Sequence, residues 1–242
     1  MQQNKLAIVT GASRGIGKAA AINFAKLGYD VAILARNKSL LQQLEEEIKE
    51  QYKVNAKAFI VDVKKQEEIN NCIAYILEHH TTIDILFNNA GVLATGLLDI
   101  TTKDILEQIK TNLLGAYHML RAIAPQMKQQ HSGYIFNVSS RSGKSAIPKF
   151  GAYSATKFGL LGINEALYQE MMPYNVKVTA LCPSVIDTEL TKSFNIPNEE
   201  KIEVDDIINT VNYLLTLSHN ACIKELSIEC KYVVLNPYQS SR

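Results

Sequence analysis

The sequence predicts an α/β fold, a single doubly wound parallel sheet of about seven strands with helices on both faces. Three observations carry that expectation. Seven short apolar runs recur along the 242 residues, at 6–9, 31–35, 58–61, 83–87, 134–138, 176–181 and 226–228. They are bounded by Gly, Asn, Asp or Pro and have the continuous apolar character of strands buried on both faces. Stretches of helical period separate them, at 15–27, 39–52, 65–79, about 103–130, about 152–172 and about 199–217. Such alternation calls for a parallel sheet, and right-handed crossovers wind it in both directions. Finally, no Gly/Ser or Pro-rich linker, low-complexity tract or repeat interrupts the pattern, so 1–242 read as one domain.

Composition narrows the classes of function. With 47% hydrophobic and 20% charged residues the chain can bury a full core, which excludes global disorder. Lys and Arg number 25 against 24 Asp and Glu, and a net charge of +1 makes no case for nucleic acid or a membrane surface as partner. No apolar run reaches the ~18 residues of a spanning helix. Met1-Gln2-Gln3-Asn4-Lys5 leads straight into the first strand and leaves no room for a signal peptide, so a cytoplasmic chain is expected. Cys72, Cys182, Cys222 and Cys230 lack metal-ligand spacing and read as small core hydrophobes. Glu45-Glu46-Glu47 reads as a solvated helix face. His79-His80 ends a helix, where the dipole favours histidine, and no metal is expected.

The first strand ends in Thr10-Gly11-Ala12-Ser13-Arg14-Gly15-Ile16-Gly17, and a helix follows. A strand, a glycine loop and a helix N-terminus together form an anion site, because unpaired N–H groups face the loop. Glycine lets the backbone turn tightly and approach a pyrophosphate without a Cβ in the way. The alternative is a tight turn alone. Gly11, Ser13, Arg14, Gly15, Ile16 and Gly17 are therefore candidate cofactor-binding residues. At the end of the second strand, where an NAD site places a carboxylate for the ribose hydroxyls, Ala35 is followed by Arg36. A guanidinium there pairs with a 2′-phosphate, and Arg14 offers a second cation. Each alone reads equally as a surface arginine; together they favour NADP over NAD.

Later elements carry the candidate chemistry. Asn112 lies inside the long helix 103–130, where asparagine is mildly unfavourable; it is a surface residue or an anchor for an internal water. The fifth strand ends in Asn137-Val138-Ser139-Ser140, which puts a hydroxyl in the crevice where parallel sheets bind ligands. A serine-rich loop is the plainer alternative. Next, Tyr153 and Lys157 stand at i and i+4 on one helix face. An ammonium beside a phenol favours the phenolate and moves its pKa towards the working range of a general acid or base. By itself such a pair is weak evidence and is more often a solvated helix face.

Thr10-Gly11-x3-Gly15-x-Gly17, Asn88-Asn89-Ala90-Gly91, Asn112, Ser140 and Tyr153-x3-Lys157 follow one another in register. With these motifs the chain strongly resembles the short-chain dehydrogenase/reductase superfamily, over residues 5 to about 230. Within it, the chain is most similar to 3-oxoacyl-acyl-carrier-protein reductases and related NADPH carbonyl reductases. The resemblance implies a Rossmann-type sheet, NADP(H) as cofactor and reversible hydride transfer between it and a carbonyl or alcohol. Tyr153 would exchange the proton with the substrate oxygen. Lys157 would lower the Tyr153 pKa and bond the nicotinamide ribose. Ser140 would polarise the carbonyl, and Asn112 would hold a water in a relay towards Lys157. Asp62 and Val63 match positions beside the adenine, and Asn89, Ala90 and Gly91 the wall beside its ribose. Pro183, Ser184, Ile186 and Thr188 match the segment against the nicotinamide.

The same resemblance implies a homo-dimer or homo-tetramer, with Tyr168, Met171 and Met172 as interface candidates. A substrate loop is expected at about 184–200, with Leu190, Phe194 and Ile196 as apolar lining. An acyl-carrier substrate would call for a basic mouth, for which Arg121, Lys128, Arg141, Lys144 and Lys149 are available. Two departures stand out. Ser184 replaces a usual glycine, and if the position needs a positive φ, serine costs about 1 kcal/mol there. The stretch 229–237 replaces a glycine-rich turn. Rival readings are an NADP-linked dehydrogenase of a sugar alcohol or steroid-like alcohol, and a cofactor-binding regulator without turnover.

Overall fold

The computed structural model describes residues 4–236, and its strands form a seven-stranded, all-parallel sheet. In chain order the main elements are β1 (Leu6–Thr10), α1 (Gly15–Lys26), β2 (Asp30–Ala35), α2 (Lys38–Tyr52), β3 (Ala56–Ile60), α3 (Gln66–His79) and β4 (Ile85–Asn88). Then come α4 (Thr102–Gln108), a π-helical segment (Ile109–Gly115), α5 (Ala116–Gln130), β5 (Gly133–Val138) and α6 (Gly151–Met171). The chain continues through β6 (Val176–Pro183), α7 (Val204–Thr216), β7 (Glu225–Ile228) and α8 (Lys231–Leu235). Strand order is β3-β2-β1-β4-β5-β6-β7, so the winding reverses between β1 and β4. Open parallel sheets bind ligands outside the carboxyl ends of the strands at such a reversal.

Period-2 alternation within apolar strands explains the two cores. In β1, Ala7 and Val9 join one cluster with Phe24, Leu41, Phe87, Phe136 and Val211. Leu6 and Ile8 point to the opposite layer, with Ile69, Ile73, Met119, Ile123 and Met171. Each fully buried aliphatic side chain of this kind contributes roughly 1.5–3 kcal/mol. Four of the sequence expectations shift. The long helix 103–130 is interrupted by the π-helical segment, whose extra backbone residue per turn accommodates Asn112. The last long helix begins at Val204 rather than 199, because Glu203 and Asp206 form a capping box that starts it there. Cys222 is exposed, unlike the other three cysteines. Met171 is only 3% exposed and belongs to the core, so it is no surface residue, whereas Met172 remains exposed. Among the described residues no helix is long and apolar enough to cross a membrane.

Candidate active site

The carboxyl ends of the strands open onto a cleft of about 770 Å³. Its floor is tied together by buried polar side chains at the strand ends. The Thr10 hydroxyl accepts the main-chain N–H groups of Asn89 and Ala90 at 2.9 and 3.0 Å, joining β1 to β4. From there Asn88 Nδ2 donates to Asn137 Oδ1 (3.1 Å), Asn137 Nδ2 to Asn164 Oδ1 (3.0 Å), and Asn164 Nδ2 to the Lys224 carbonyl (3.2 Å). These amides are buried and satisfied in sequence, so none can be replaced singly without leaving a partner unpaired. Of these residues, Asn137 and Asn164 carried no signal in the sequence beyond being polar at core positions.

The glycine loop is shaped by two close approaches. Gly11 has φ +65, and a Cβ on it would lie 2.9 Å from Asn89 Nδ2 and 3.0 Å from Ala90 Cα. A Cβ on Gly17 would lie 2.3 Å from the Gly11 carbonyl oxygen. Gly11, Ser13, Arg14, Gly15 and Ile16 line the cleft; Gly17 does not, and its role is to let α1 pack against the loop. Arg36, Asp62, Val63, Asn89, Ala90 and Gly91 line the same cleft, as do Pro183, Ser184, Ile186 and Thr188. Ser184 is not among the positive-φ residues, so the feared strain is absent. Its N–H instead donates to the Ile228 carbonyl at 2.8 Å. Thr111, which the sequence reading missed, also lines the cleft; its hydroxyl is buried and has no hydrogen-bond partner among the described residues.

At one end of the cleft stand Ser140, Tyr153 and Lys157, the last two side by side on α6 and 9% and 4% exposed. The Tyr153 hydroxyl faces the Ser140 side chain. Ser140 Oγ accepts the Ser142 N–H at 3.1 Å. Lys157 Nζ donates to the Val138 carbonyl at 2.8 Å and lies 5.6 Å from the Tyr153 ring centroid. Burial pushes the Tyr153 phenol up to about 12, with the Ser140 side chain pulling the other way. Burial pushes the Lys157 ammonium down to about 8. Desolvation outweighs the Ser140 contribution, and the phenol keeps its proton across the neutral range.

Asn112 is not the surface residue that one alternative made it. It is 1% exposed and does not line the cleft. Its Oδ1 accepts the Val92 N–H (2.8 Å), while Nδ2 donates to the Val92 carbonyl (2.9 Å) and Thr156 Oγ1 (3.2 Å). The amide is thus consumed in fastening the segment after β4 to α6, and a water held by that amide would have to displace one of these bonds.

Apolar side chains also wall the cleft. Ile147, Phe150, Leu190, Phe194 and Val233 line it, and the Phe150 and Phe194 rings meet edge-on at 5.5 Å. Ile196 instead packs into the core. Val233 comes from the unusual C-terminal stretch, of which Pro237 lies outside the described residues. Of the five candidates for a basic mouth, only Arg141 lines the cleft. Arg141 pairs with Glu229 at 3.2 Å, and Lys144 pairs with Glu225 at 2.6 Å. Lys128 sits over the Tyr174 ring at 4.3 Å.

The site fits a phosphorylated dinucleotide on its own evidence. A Cβ-free cradle at Gly11, the guanidinium groups of Arg14 and Arg36, an unpartnered Thr111 hydroxyl and the Lys157 ammonium supply donors along one continuous cleft. Comparison with known proteins points the same way. Residues 5–199 match the family model described as short chain dehydrogenase. An uncharacterized oxidoreductase from Staphylococcus epidermidis is 32% identical over 227 residues, covering 93% of this chain and 97% of that protein. Among solved structures, an alcohol dehydrogenase from the archaeon Thermococcus sibiricus, complexed with 5-hydroxy-NADP, superposes with a TM-score of 0.88. That match has 29% identity and covers 94% and 97% of the two chains. A betaketoacyl-ACP reductase from Bacteroides thetaiotaomicron gives a TM-score of 0.85 at 35% identity, covering 97% and 100%.

Proposed function

The chain belongs to the short-chain dehydrogenase family, and from that membership we propose that this oxidoreductase is an NADPH-dependent carbonyl reductase, reversible towards the alcohol. One observation carries the reading: Ser140, Tyr153 and Lys157 stand together in the same cleft that Arg14 and Arg36 line. Similarity to an alcohol dehydrogenase complexed with an NADP derivative and to a betaketoacyl-ACP reductase supports it. Bound NADPH would supply the hydride; the chain's own residues do the rest. Arg14 and Arg36 pair with the 2′-phosphate, and the Gly11–Gly15 turn admits the pyrophosphate. Asp62, Val63, Asn89 and Gly91 enclose the adenosine, with the Thr111 hydroxyl as a further donor. Lys157 donates to the ribose beside the nicotinamide, and Pro183, Ser184, Ile186 and Thr188 form the wall behind it.

Substrate chemistry follows from the same geometry. Ser140 Oγ hydrogen-bonds the carbonyl oxygen and orients it towards Tyr153. The Tyr153 phenol, protonated across the neutral range, gives its proton to that oxygen as negative charge develops. The apolar wall of Ile147, Phe150, Leu190, Phe194 and Val233 excludes water and accepts an apolar substituent. That lining supports a ketone or 3-oxoacyl substrate over a sugar alcohol. Leu114, Tyr117 and Phe158, exposed on the π-helical segment, α5 and α6, support self-association into a homo-dimer or homo-tetramer.

Steady-state turnover with NADPH and NADH in parallel, on a panel of ketones, tests the assignment. Arg36→Ala should lower kcat/KM for NADPH about 10- to 100-fold, the loss of one charge-assisted contact of ~1.5–3 kcal/mol, and leave NADH unchanged. Equal rates with both cofactors in the unmodified protein would contradict the arginine assignment. A second expectation concerns pH. Lys157 is depressed to about 8, so its charged form fades as pH rises through that value. NADPH affinity measured by fluorescence should weaken above about pH 8, and Lys157→Met should abolish that dependence. An affinity that stays flat through this range would show that Lys157 does not bond the cofactor as an ammonium.

A further inference from the structure

Behind Arg36 and Asp62 lie Lys64, Lys65, Glu68 and Glu107, charges outside the cleft that neither the sequence motifs nor the proposed chemistry uses. Glu107, on the last turn of α4, has its Oε1 3.5 Å from Arg36 Nη1. The same carboxylate is gripped by Lys64, whose Nζ lies 2.9 Å from each of its two oxygens. Lys64 Nζ also lies 3.5 Å from Asp62 Oδ2. The neighbouring Glu68 is held separately by Lys65 at 2.7 Å, with its other oxygen on the Asp62 N–H at 2.9 Å. Arg36 lines the cleft, and neither Lys64 nor Glu107 does.

We propose that Lys64 and Glu107 set the selectivity for a 2′-phosphorylated cofactor by determining how much of the Arg36 charge is available to the phosphate. The proposal rests on the NADPH reading. The two contacts on Glu107 are unequal. Lys64 engages both carboxylate oxygens at the length of a strong charge-assisted bond, whereas Arg36 makes one long contact. Lys64 side chain is 22% exposed and that of Arg36 59%, so the lysine contact is also the less screened. The carboxylate is therefore anchored on Lys64, and Arg36 can leave it for a phosphate dianion in the cleft. Without Lys64, Glu107 would be left with Arg36 as its ion-pair partner, and the guanidinium would be drawn back from the cleft. Lys64 and Glu107 are positioning residues: they act through Arg36 and touch no ligand.

Calorimetric titration with 2′-phospho-ADP-ribose and ADP-ribose separates the possibilities without turnover. Lys64→Met should weaken 2′-phospho-ADP-ribose about tenfold, one charge-assisted contact's worth, and leave ADP-ribose unchanged, which also shows the variant is folded. Glu107→Gln should tighten 2′-phospho-ADP-ribose alone. The double variant Lys64→Met/Glu107→Gln should recover the affinity lost in Lys64→Met. A Lys64→Met loss that the second substitution fails to rescue would mean that Lys64 contacts the phosphate directly, and would overturn the proposal. So would an unchanged affinity in Lys64→Met, or an equal loss for both ligands. Equal affinity of the unmodified protein for the two ligands would remove the NADPH reading itself, and the proposal with it.

Discussion

Tyr153→Phe is expected to lower kcat for carbonyl reduction by about 10²–10⁴-fold, the range spanned by a positioned general acid. The substitution removes one oxygen and leaves the ring in its buried position on α6. Ser140 retains its bond from the Ser142 N–H, so the neighbouring strand end stays in place. NADPH affinity should therefore be preserved, and the loss should fall on the chemical step. Single-turnover kinetics with a ketone substrate would separate the two. Turnover undiminished in the variant would remove Tyr153 from the acid–base role.

Gly17→Ala is expected to have the second largest effect, on binding and folding together. Its Cβ would lie 2.3 Å from the Gly11 carbonyl oxygen, 2.7 Å from Asn89 Nδ2 and 2.8 Å from the Gly11 carbonyl carbon. Two of these atoms are backbone, so relief requires α1 to move away from the loop. Overpacking of this kind costs about 1–3 kcal/mol, which lowers Tm by roughly 2–12 °C in a chain of this size. NADPH affinity should fall more than tenfold, because the displaced helix start carries the N–H groups that face the pyrophosphate. Gly162→Ala is the matched control. That glycine lies within α6 with nothing within 4 Å of its Cβ position, so alanine should be neutral or stabilise by about 0.5–1 kcal/mol. If the two variants melt and bind alike, the close-approach account of Gly17 is wrong.

The sheet was legible because its strands are buried on both faces and announce themselves as unbroken apolar runs, and the helices between them have clear period. Legibility ended where a residue's partner lies far away in sequence. Asn112 could be flagged as odd for a helix, but its bonds to Val92 and Thr156 arise only when α6 closes over the π-helical segment. Ile196 and Phe194 are both apolar residues of one loop; one enters the core and the other the cleft, a difference no local pattern encodes. The Tyr153–Lys157 spacing was visible, yet the sequence argument weighed only the charge of the ammonium. Burial, which acts on both groups, is a property of the folded surroundings. Likewise Glu107 and Lys64 are 43 residues apart, and their contact beside Arg36 had no sequence signature.

The proposed reaction of this cleft is the reduction of a carbonyl with NADPH. Incubation with NADPH deuterated at the transferring position, followed by mass spectrometry of the alcohol products from a ketone panel, tests it most directly. Deuterium should appear on the carbinol carbon with the unmodified protein and be lost with Tyr153→Phe. Tight NADPH binding with no deuterium transferred to any carbonyl would contradict the claim and leave a cofactor-binding regulator in its place.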